Sequence, residues 1–396
     1  MMTARQQITI LGSTGSIGLS TLDVIRRNPD RYQVHALSAN TNTAELHQQC
    51  CEFQPRYAVM CDEKCALKLT RLLSQDGLKT EVLAGRTGLC TVASHKDTDV
   101  VMAAIVGAAG LESSLAAAGS GKRLLLANKE SLVMSGGLFT QTVAENNAVL
   151  LPIDSEHNAI FQCLANGASG FAQGVMKIIL TASGGPLLRT PVSELADVSV
   201  DQACAHPNFE MGRKISVDSA TMMNKGLELI EAKWLFNTPV DKIEIVIHPQ
   251  QIIHSMVSYE DGSILAQMGK PDMRLPIAHG LAWPDRVESG VESLDLMTMG
   301  RLDFEPVDRQ RYPCVALAEA AVQAPESMAI ALNAANEIAV DGFLRELIRF
   351  IEIPMIVEAV MNQTAAVEAP TMADIIAIDS EARSKAREHC ERRNSR

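Results

Sequence analysis

The 396-residue sequence has no C-x-x-C pair, no internal repeat and no low-complexity tract. It also has no apolar stretch near the roughly 20 residues that span a bilayer. Nine cysteines are scattered along it, Cys50 and Cys51 adjacent and Cys61 and Cys65 one helical turn apart. That distribution excludes a disulfide scaffold and fits reduced thiols. The opening "MMTARQQITI" lacks the apolar core of a signal peptide. A soluble, cytoplasmic protein is therefore expected. Positive charge is also short: 35 Lys and Arg against 47 Asp and Glu leave a net charge of −12. This argues against non-specific nucleic-acid binding, which needs a positive field. An anionic small substrate stays open, because a few placed cations suffice.

Apolar residues make up 47 % and charged residues 21 %, ordinary values for a globular protein, and the length allows two or three domains with real cores. In residues 1–149 short apolar runs alternate with helical patterns. "QQITIL", "YQVHALSA", "DVVMAAIVG" and "RLLLANK" read as strands, so βαβ units and a parallel sheet are expected. Residues 150–282 mix apolar runs with polar clusters, and "KIEIVIHPQQIIHSMVSYEDGSILAQM" alternates like strands, with Asp261-Gly262 as a hairpin turn. Residues 283–308, broken by prolines, read as a connector, and 309–396 as a helical domain.

"ILGSTGSIGLSTLDVIRRNP" places Gly12, Gly15 and Gly18 between a strand and a helix. Glycines let backbone approach a pyrophosphate, and a helix N-terminus supplies N–H groups and a favourable dipole. The spacing is G-x-x-G-x-x-G, and a tight turn with no ligand has the same pattern. A P-loop in "AAAGSGKRLLL" is rejected, because Arg123 stands where Ser or Thr would hold magnesium and Ala116 at the upstream Gly position. After the second strand, "SANTNT" offers neither an acid for the ribose of NAD nor a base for the extra phosphate of NADP. Without the acid, the lean is slightly towards NADP.

"LLPIDSEHNAIF" brings Asp154 and Glu156 to the end of a buried-looking strand. In an extended segment they would share a face and need a compensating charge. All-oxygen ligands would suit Mg²⁺ or Mn²⁺; a solvated acidic turn fits the pattern equally well. In "GRKISVDSATMMNKGLELIEAKWLF" a helix starting near Ala220 would set Asn224, Lys225 and Glu228 on one face, suited to a phosphorylated, metal-chelating substrate or simply to solvent. Ser183-Gly184-Gly185-Pro186 forms a turn that could meet an anion, Thr190-Pro191 reads as the N-cap and first position of a short helix, and "HPNFEMG" as a lid. His248 and His254 read as hydrogen-bonded core histidines, and Glu231 as packing.

Taken together, "GSTGSIG", "LLANKESLV", "PIDSEHNAIFQ", "ASGGP", "HPNFEMGRKISVDSATMMNKGLE", "IHPQQIIHSMV" and "ALNAANE" resemble the 1-deoxy-D-xylulose-5-phosphate reductoisomerases over essentially the whole chain. The resemblance implies a Rossmann-like NADPH domain, a mixed α/β catalytic and dimerisation domain, a connector and a C-terminal α-helical domain, assembled as a homodimer. It implies rearrangement of 1-deoxy-D-xylulose 5-phosphate by retro-aldol cleavage and aldol rejoining. NADPH then reduces the product to 2-C-methyl-D-erythritol 4-phosphate. By motif, Thr14, Gly15, Ser16, Ile17, Asn42, Asn128, Glu130 and Gly212 would contact NADPH. Asp154, Glu156 and Glu228 would ligate Mg²⁺ or Mn²⁺. Ser183, Ser219, Asn224 and Lys225 would bind the substrate phosphate. Lys129, Ser155, Glu156 and His206 would line the rest of the site.

The chain departs from the family pattern in three places. Asn40-Thr41 replaces a glycine and a basic residue, Phe209 stands at the usual flap Trp, and Glu210 adds an anion beside it. Two rival readings compete with this one. One is another NAD(P)- and metal-dependent sugar-phosphate oxidoreductase; the other is a non-catalytic nucleotide-sensing dimer, against which the intact acids and Lys225 speak.

Overall fold

The computed structural model describes residues 5–164, 174–205 and 212–394. They form two units. The first comprises 1–131, 139–158 and 272–292, and the second 132–138, 159–271 and 293–396. Among the described residues no helix is long and apolar enough to cross a membrane.

The first unit is built on seven strands: β1 Gln6–Leu11, β2 Tyr32–Ala39, β3 Tyr57–Met60, β4 Glu81–Ala84, β5 Val100–Ala103, β6 Arg123–Leu126 and β7 Val149–Pro152. All pair in parallel, in the order β4-β3-β2-β1-β5-β6-β7. Parallel strands covered on both faces read as continuous apolar runs, and "VVMA" and "LLL" of β5 and β6 are buried in that way. β3 and β4 are four residues each and carry no alternation, so sequence pattern alone missed them. The order reverses between β1 and β5, and ligands of such sheets bind at that switch point, beyond the carboxyl ends of the strands.

The segment 272–292 returns to this unit. Its helix Arg274–Ala282 is almost wholly buried, and Gly280 sits so close to Ile153 that a Cβ there would lie 2.8 Å from its Cδ1. Arg274 pairs with Asp272 at 2.7 Å and with Asp23 on the first helix at 3.1 Å.

The second unit holds a mixed sheet of β8 Val175–Ala182, β9 Ile243–Ile247, β10 Ile253–Tyr259, β11 Ile264–Met268 and β12 Glu305–Pro306, in the order β11-β10-β8-β9-β12. The Asp261-Gly262 hairpin is present, with Gly262 at φ 85° and the antiparallel pairing of β10 with β11 closing it. Helices Pro313–Gln323, Glu326–Leu344, Glu352–Asn362 and Met372–Asn394 complete the unit. The third of these carries no signal that the sequence reading used.

Three local readings are corrected by the structure. The helix expected to start near Ala220 begins at Met223, because an earlier helix Arg213–Ala220 ends there and Met222 turns left-handed at φ 57°. Asn224, Lys225 and Glu228 share the later helix as expected. Met222 is buried in a cluster with Ala182, Ile247, Tyr312 and Val315, so the apolar packing fixes the break. The short turn of helix after Thr190 spans Val192–Asp197 with Pro191, not Thr190, at the cap. The chain after β7 is not extended, as described below.

Candidate active site

The glycine loop joins β1 to the helix Ser16–Arg27 at the switch point. Its outer glycines are packing requirements. A Cβ on Gly12, which adopts φ 84°, would stand 2.8 Å from the Ala104 carbonyl, and one on Gly18 would stand 2.4 Å from Ser13 Cα. Gly15 differs: a Cβ there would meet only Gly12 O, at 3.5 Å. Gly15 and Ser16 are exposed, Thr14 and Ile17 partly so, and no side chain caps the helix. The helix end thus presents backbone N–H groups suited to a pyrophosphate.

The loop is braced from β2 and the next helix. Gly12 N–H donates to Ser38 Oγ at 2.9 Å, Ser13 Oγ donates to Gln49 Oε1 at 2.6 Å, and Gln49 Nε2 returns a bond to Ser13 O at 3.1 Å. Asn42 caps the helix Thr43–Phe53 by accepting from Glu45 N–H at 3.3 Å. Asn128 does the same for Lys129–Glu145 by accepting from Ser131 N–H at 3.0 Å, and its amide donates to Gly107 O at 2.9 Å. Both asparagines are therefore fixed by the backbone around the carboxyl ends of the strands. Glu130 is buried in the same first turn.

After β7 the helix Ser155–Cys163 begins at once. Asp154 and Glu156 are thus a residue preceding a helix and a residue of its first turn, and alternation along a strand does not orient them. Asp154 Oδ1 accepts from Glu156 N–H at 3.3 Å, and its carbonyl accepts from Asn158 N–H at 2.8 Å, as a capping residue does. Its carboxylate, 9 % exposed, also lies 2.7 Å from Lys129 Nζ and 3.2 Å from His157 Nδ1. Ser155 Oγ donates to Glu156 Oε2 at 2.6 Å, and Glu156 is 8 % exposed. Two nearly buried acids therefore stand on one turn, with the Lys129 ammonium and the His157 ring against Asp154.

The second unit holds the other group. Ser183 Oγ accepts from Gly185 N–H at 3.0 Å. Gly185 takes φ 70° and packs on the end of the helix Arg213–Ala220, where a Cβ would stand 2.5 Å from Ser219 O. Tyr312 OH donates to Gly184 O at 2.8 Å and holds the turn. One helix further, Asn224 Nδ2 and Lys225 Nζ both bond the Glu228 carboxylate; Lys225 is 3 % and Glu228 0 % exposed. Serine turn, Ser219, amide, ammonium and acid therefore belong to adjoining backbone. Gly212 is the exposed cap of the helix Arg213–Ala220. His206, Phe209 and Glu210 lie outside the described residues. His248 is a core histidine: Ile252 and Ile253 N–H donate to its Nε2, and its Nδ1 donates to Asp303 O at 2.8 Å.

Sequence reasoning missed the support beneath the acid loop. Asn158 Nδ2 donates to Pro152 O at 2.9 Å and to His279 Nδ1 at 3.1 Å. An amide nitrogen only donates, so His279 accepts at Nδ1 and carries its hydrogen on Nε2. With the Asn158 N–H to Asp154 O bond, this pair fixes both ends of the turn bearing the acids. The partner lies 121 residues away, and no spacing signal could connect the two.

Residues 8–136 match the family described as 1-deoxy-D-xylulose 5-phosphate reductoisomerase. Residues 150–236 match that family's C-terminal domain, and 268–385 the DXP reductoisomerase C-terminal domain. The 1-deoxy-D-xylulose 5-phosphate reductoisomerase of Stutzerimonas stutzeri (strain A1501) is 59 % identical over 382 residues, 96 % of each chain. The chain belongs to the 1-deoxy-D-xylulose 5-phosphate reductoisomerase family. The member from Pseudomonas putida (strain W619) is 57 % identical over 389 residues, 98 % of each chain. Among solved structures, a DOX-P reductoisomerase in complex with NADPH, fosmidomycin and magnesium superposes with a TM-score of 0.94 at 46 % identity, covering 98 % of each chain. The Zymomonas mobilis reductoisomerase in complex with NADPH gives 0.91 at 47 % identity, over 98 % of this chain and 100 % of that one. The Rossmann-like, mixed α/β and helical parts expected from the sequence are those of this family.

Burial, with a smaller push from Arg286, lowers the His279 pKa to about 4 from an ordinary 6.5. The unfolded chain therefore takes up a proton between these values that the folded chain refuses. This stability is complete above about 6.5 and is lost as pH falls towards 4. His279→Asn keeps an acceptor for Asn158 and removes the titration. Melting temperature followed across this window should fall more steeply in the parent than in the variant; equal slopes would contradict the assignment.

Proposed function

We propose that the chain converts 1-deoxy-D-xylulose 5-phosphate into 2-C-methyl-D-erythritol 4-phosphate, using NADPH and a divalent metal, with Asp154, Glu156 and Glu228 as the metal ligands. The observation that carries the ligand assignment is that Asp154 and Glu228 are both withdrawn from solvent and both meet a lysine ammonium, Lys129 and Lys225 respectively. Withdrawn carboxylates demand positive charge. The donors are all oxygen, which suits Mg²⁺ or Mn²⁺. When bound, the ion supplies Lewis-acid polarisation of a carbonyl and stabilises developing negative charge.

The chain's own residues supply the rest. Lys225 and Asn224, with Ser183 and Ser219 on the adjoining turn and helix end, offer an ammonium, an amide and two hydroxyls to the substrate phosphate. Such contacts lie away from the reacting carbons, and their binding energy orients the substrate for reaction. Lys129 and Ser155 stand beside the acids to contact substrate oxygens, and His206 is assigned to the same site from its motif. The glycine loop, Thr14 to Ile17, receives the pyrophosphate, while Asn42, Asn128, Glu130 and Gly212 complete the cofactor contacts. In this reading residues 1–149 bind NADPH, 150–282 carry catalysis and dimer contacts, 283–308 connect, and 309–396 form the helical domain. The setting is the cytoplasm.

A homodimer is supported by β11. It lies at the edge of its sheet with Ile264, Leu265 and Met268 respectively 54 %, 50 % and 37 % exposed, a surface a second copy would cover. Light scattering should give two chains per particle, and Leu265→Lys should lower that mass; a monomeric parent would refute the dimer. For activity, nicotinamide absorbance should fall when purified protein receives the xylulose phosphate, NADPH and Mg²⁺, and stay constant in EDTA. Oxidation that persists in EDTA would refute the metal's role, and no oxidation with metal present would refute the reading itself.

A further inference from the structure

The cofactor-binding unit carries a second cluster of metal-ligating side chains that the reductoisomerase reading does not use. His47 and Cys51 lie one turn apart on the helix Thr43–Phe53, a spacing that puts both on one face. Asp76 is the residue that ends the neighbouring helix Glu63–Gln75. His47 Nε2 is 2.7 Å from Asp76 Oδ2, Cys51 Sγ is 3.7 Å from that same nitrogen, and Sγ is 3.9 Å from that same oxygen. One nitrogen, one sulfur and one oxygen thus converge on a single point.

We propose that His47, Cys51 and Asp76 form a zinc-type site with three protein ligands and a fourth, solvent-filled position. With metal–ligand bonds of about 2.0–2.3 Å, the edges of a tetrahedral nitrogen, sulfur and oxygen site are roughly 3.3–3.6 Å. The two sulfur edges are within a few tenths of an ångström of that range. The nitrogen–oxygen edge is shorter, as expected where a shared proton holds the two atoms together. Exposure fits an open fourth position: the His47 side chain is 22 % and the Asp76 side chain 49 % exposed, and Cys51 lies at the surface.

Two other uses of these residues fit less well. A cysteine–histidine–aspartate relay needs the thiol on one ring nitrogen and the carboxylate on the other. Here both face Nε2. A reactive thiolate needs a lowered pKa, yet burial and then the Asp76 charge raise that of Cys51. A bound dication reverses that balance, because a coordinating thiol is deprotonated outright. Binding would release the Cys51 proton to solvent, and the imidazole would carry its remaining hydrogen on Nδ1 so that Nε2 presents a lone pair. Sulfur and imidazole ligands select zinc-like ions over magnesium, so this site and the all-oxygen one differ in the ion they take. An ion here would pin together two helices, one of which holds the glycine loop through Gln49 and Ser13.

The test is Co²⁺ titration of the whole protein in excess Mg²⁺, read by the near-ultraviolet sulfur-to-cobalt charge-transfer band. An all-oxygen site cannot produce that band, so the result does not depend on the proposed activity. One equivalent of Co²⁺ should develop the band and Zn²⁺ should remove it. Cys51→Ser should abolish it, while Cys65→Ser leaves it intact. His47→Gln and Asp76→Asn should each weaken binding at least about tenfold, since even outer partners of a metal site are worth that much. No band in the parent, or a band that survives Cys51→Ser, would overturn the proposal.

Discussion

A carboxylate taken out of water must be matched by positive charge or hydrogen-bond donors, and this constraint organises the candidate active site. Asp154 answers it with Lys129, His157 and the backbone of its own helix, and Glu228 answers it with Asn224 and Lys225. A buried pair of this kind adds little net stability, because desolvation offsets most of its attraction. Its use is positional. The Asp154 and Glu228 carboxylates are held in place, each against its own lysine ammonium.

The scaffold makes that aim possible through where its elements end. β7 stops at Pro152 and the next helix starts at Ser155, so Asp154 falls on a two-residue junction and Glu156 in the first turn of the helix, with little freedom to wander. Asn158 and His279 hold that junction from beneath. In the second unit, the left-handed Met222 breaks one helix and starts another, giving Asn224 and Lys225 first-turn positions. Gly185 closes the serine turn onto the end of the preceding helix. The glycine loop follows the same logic, with Gly12 and Gly18 spent on close packing and Gly15 open to a ligand.

Much of this was legible in the residues. The strands Gln6–Leu11 and Tyr32–Ala39, the glycine turn and the Asp261-Gly262 hairpin each carry a local signal that survives folding. Local rules failed where tertiary packing decided the backbone. Asp154 and Glu156 were expected on a strand face, yet the helix begins between them. A helix start was expected near Ala220, yet Met222 is drawn into an apolar cluster and the helix begins only at Met223. The short β3 and β4 had no alternation to find, and the Asn158–His279 pair joins distant parts of the chain. Only resemblance gave Glu228 its role, because spacing alone also fits a solvated face.

The central claim is that Asp154, Glu156 and Glu228 serve one divalent ion. Electron paramagnetic resonance of free Mn²⁺ during titration of the whole protein tests it most directly, since Mn²⁺ favours oxygen ligands over the His47 and Cys51 donors. The account predicts one tight Mn²⁺ per chain in the parent, with Asp154→Asn, Glu156→Gln and Glu228→Gln each weakening it at least about tenfold. Unchanged Mn²⁺ affinity in any of the three would contradict it.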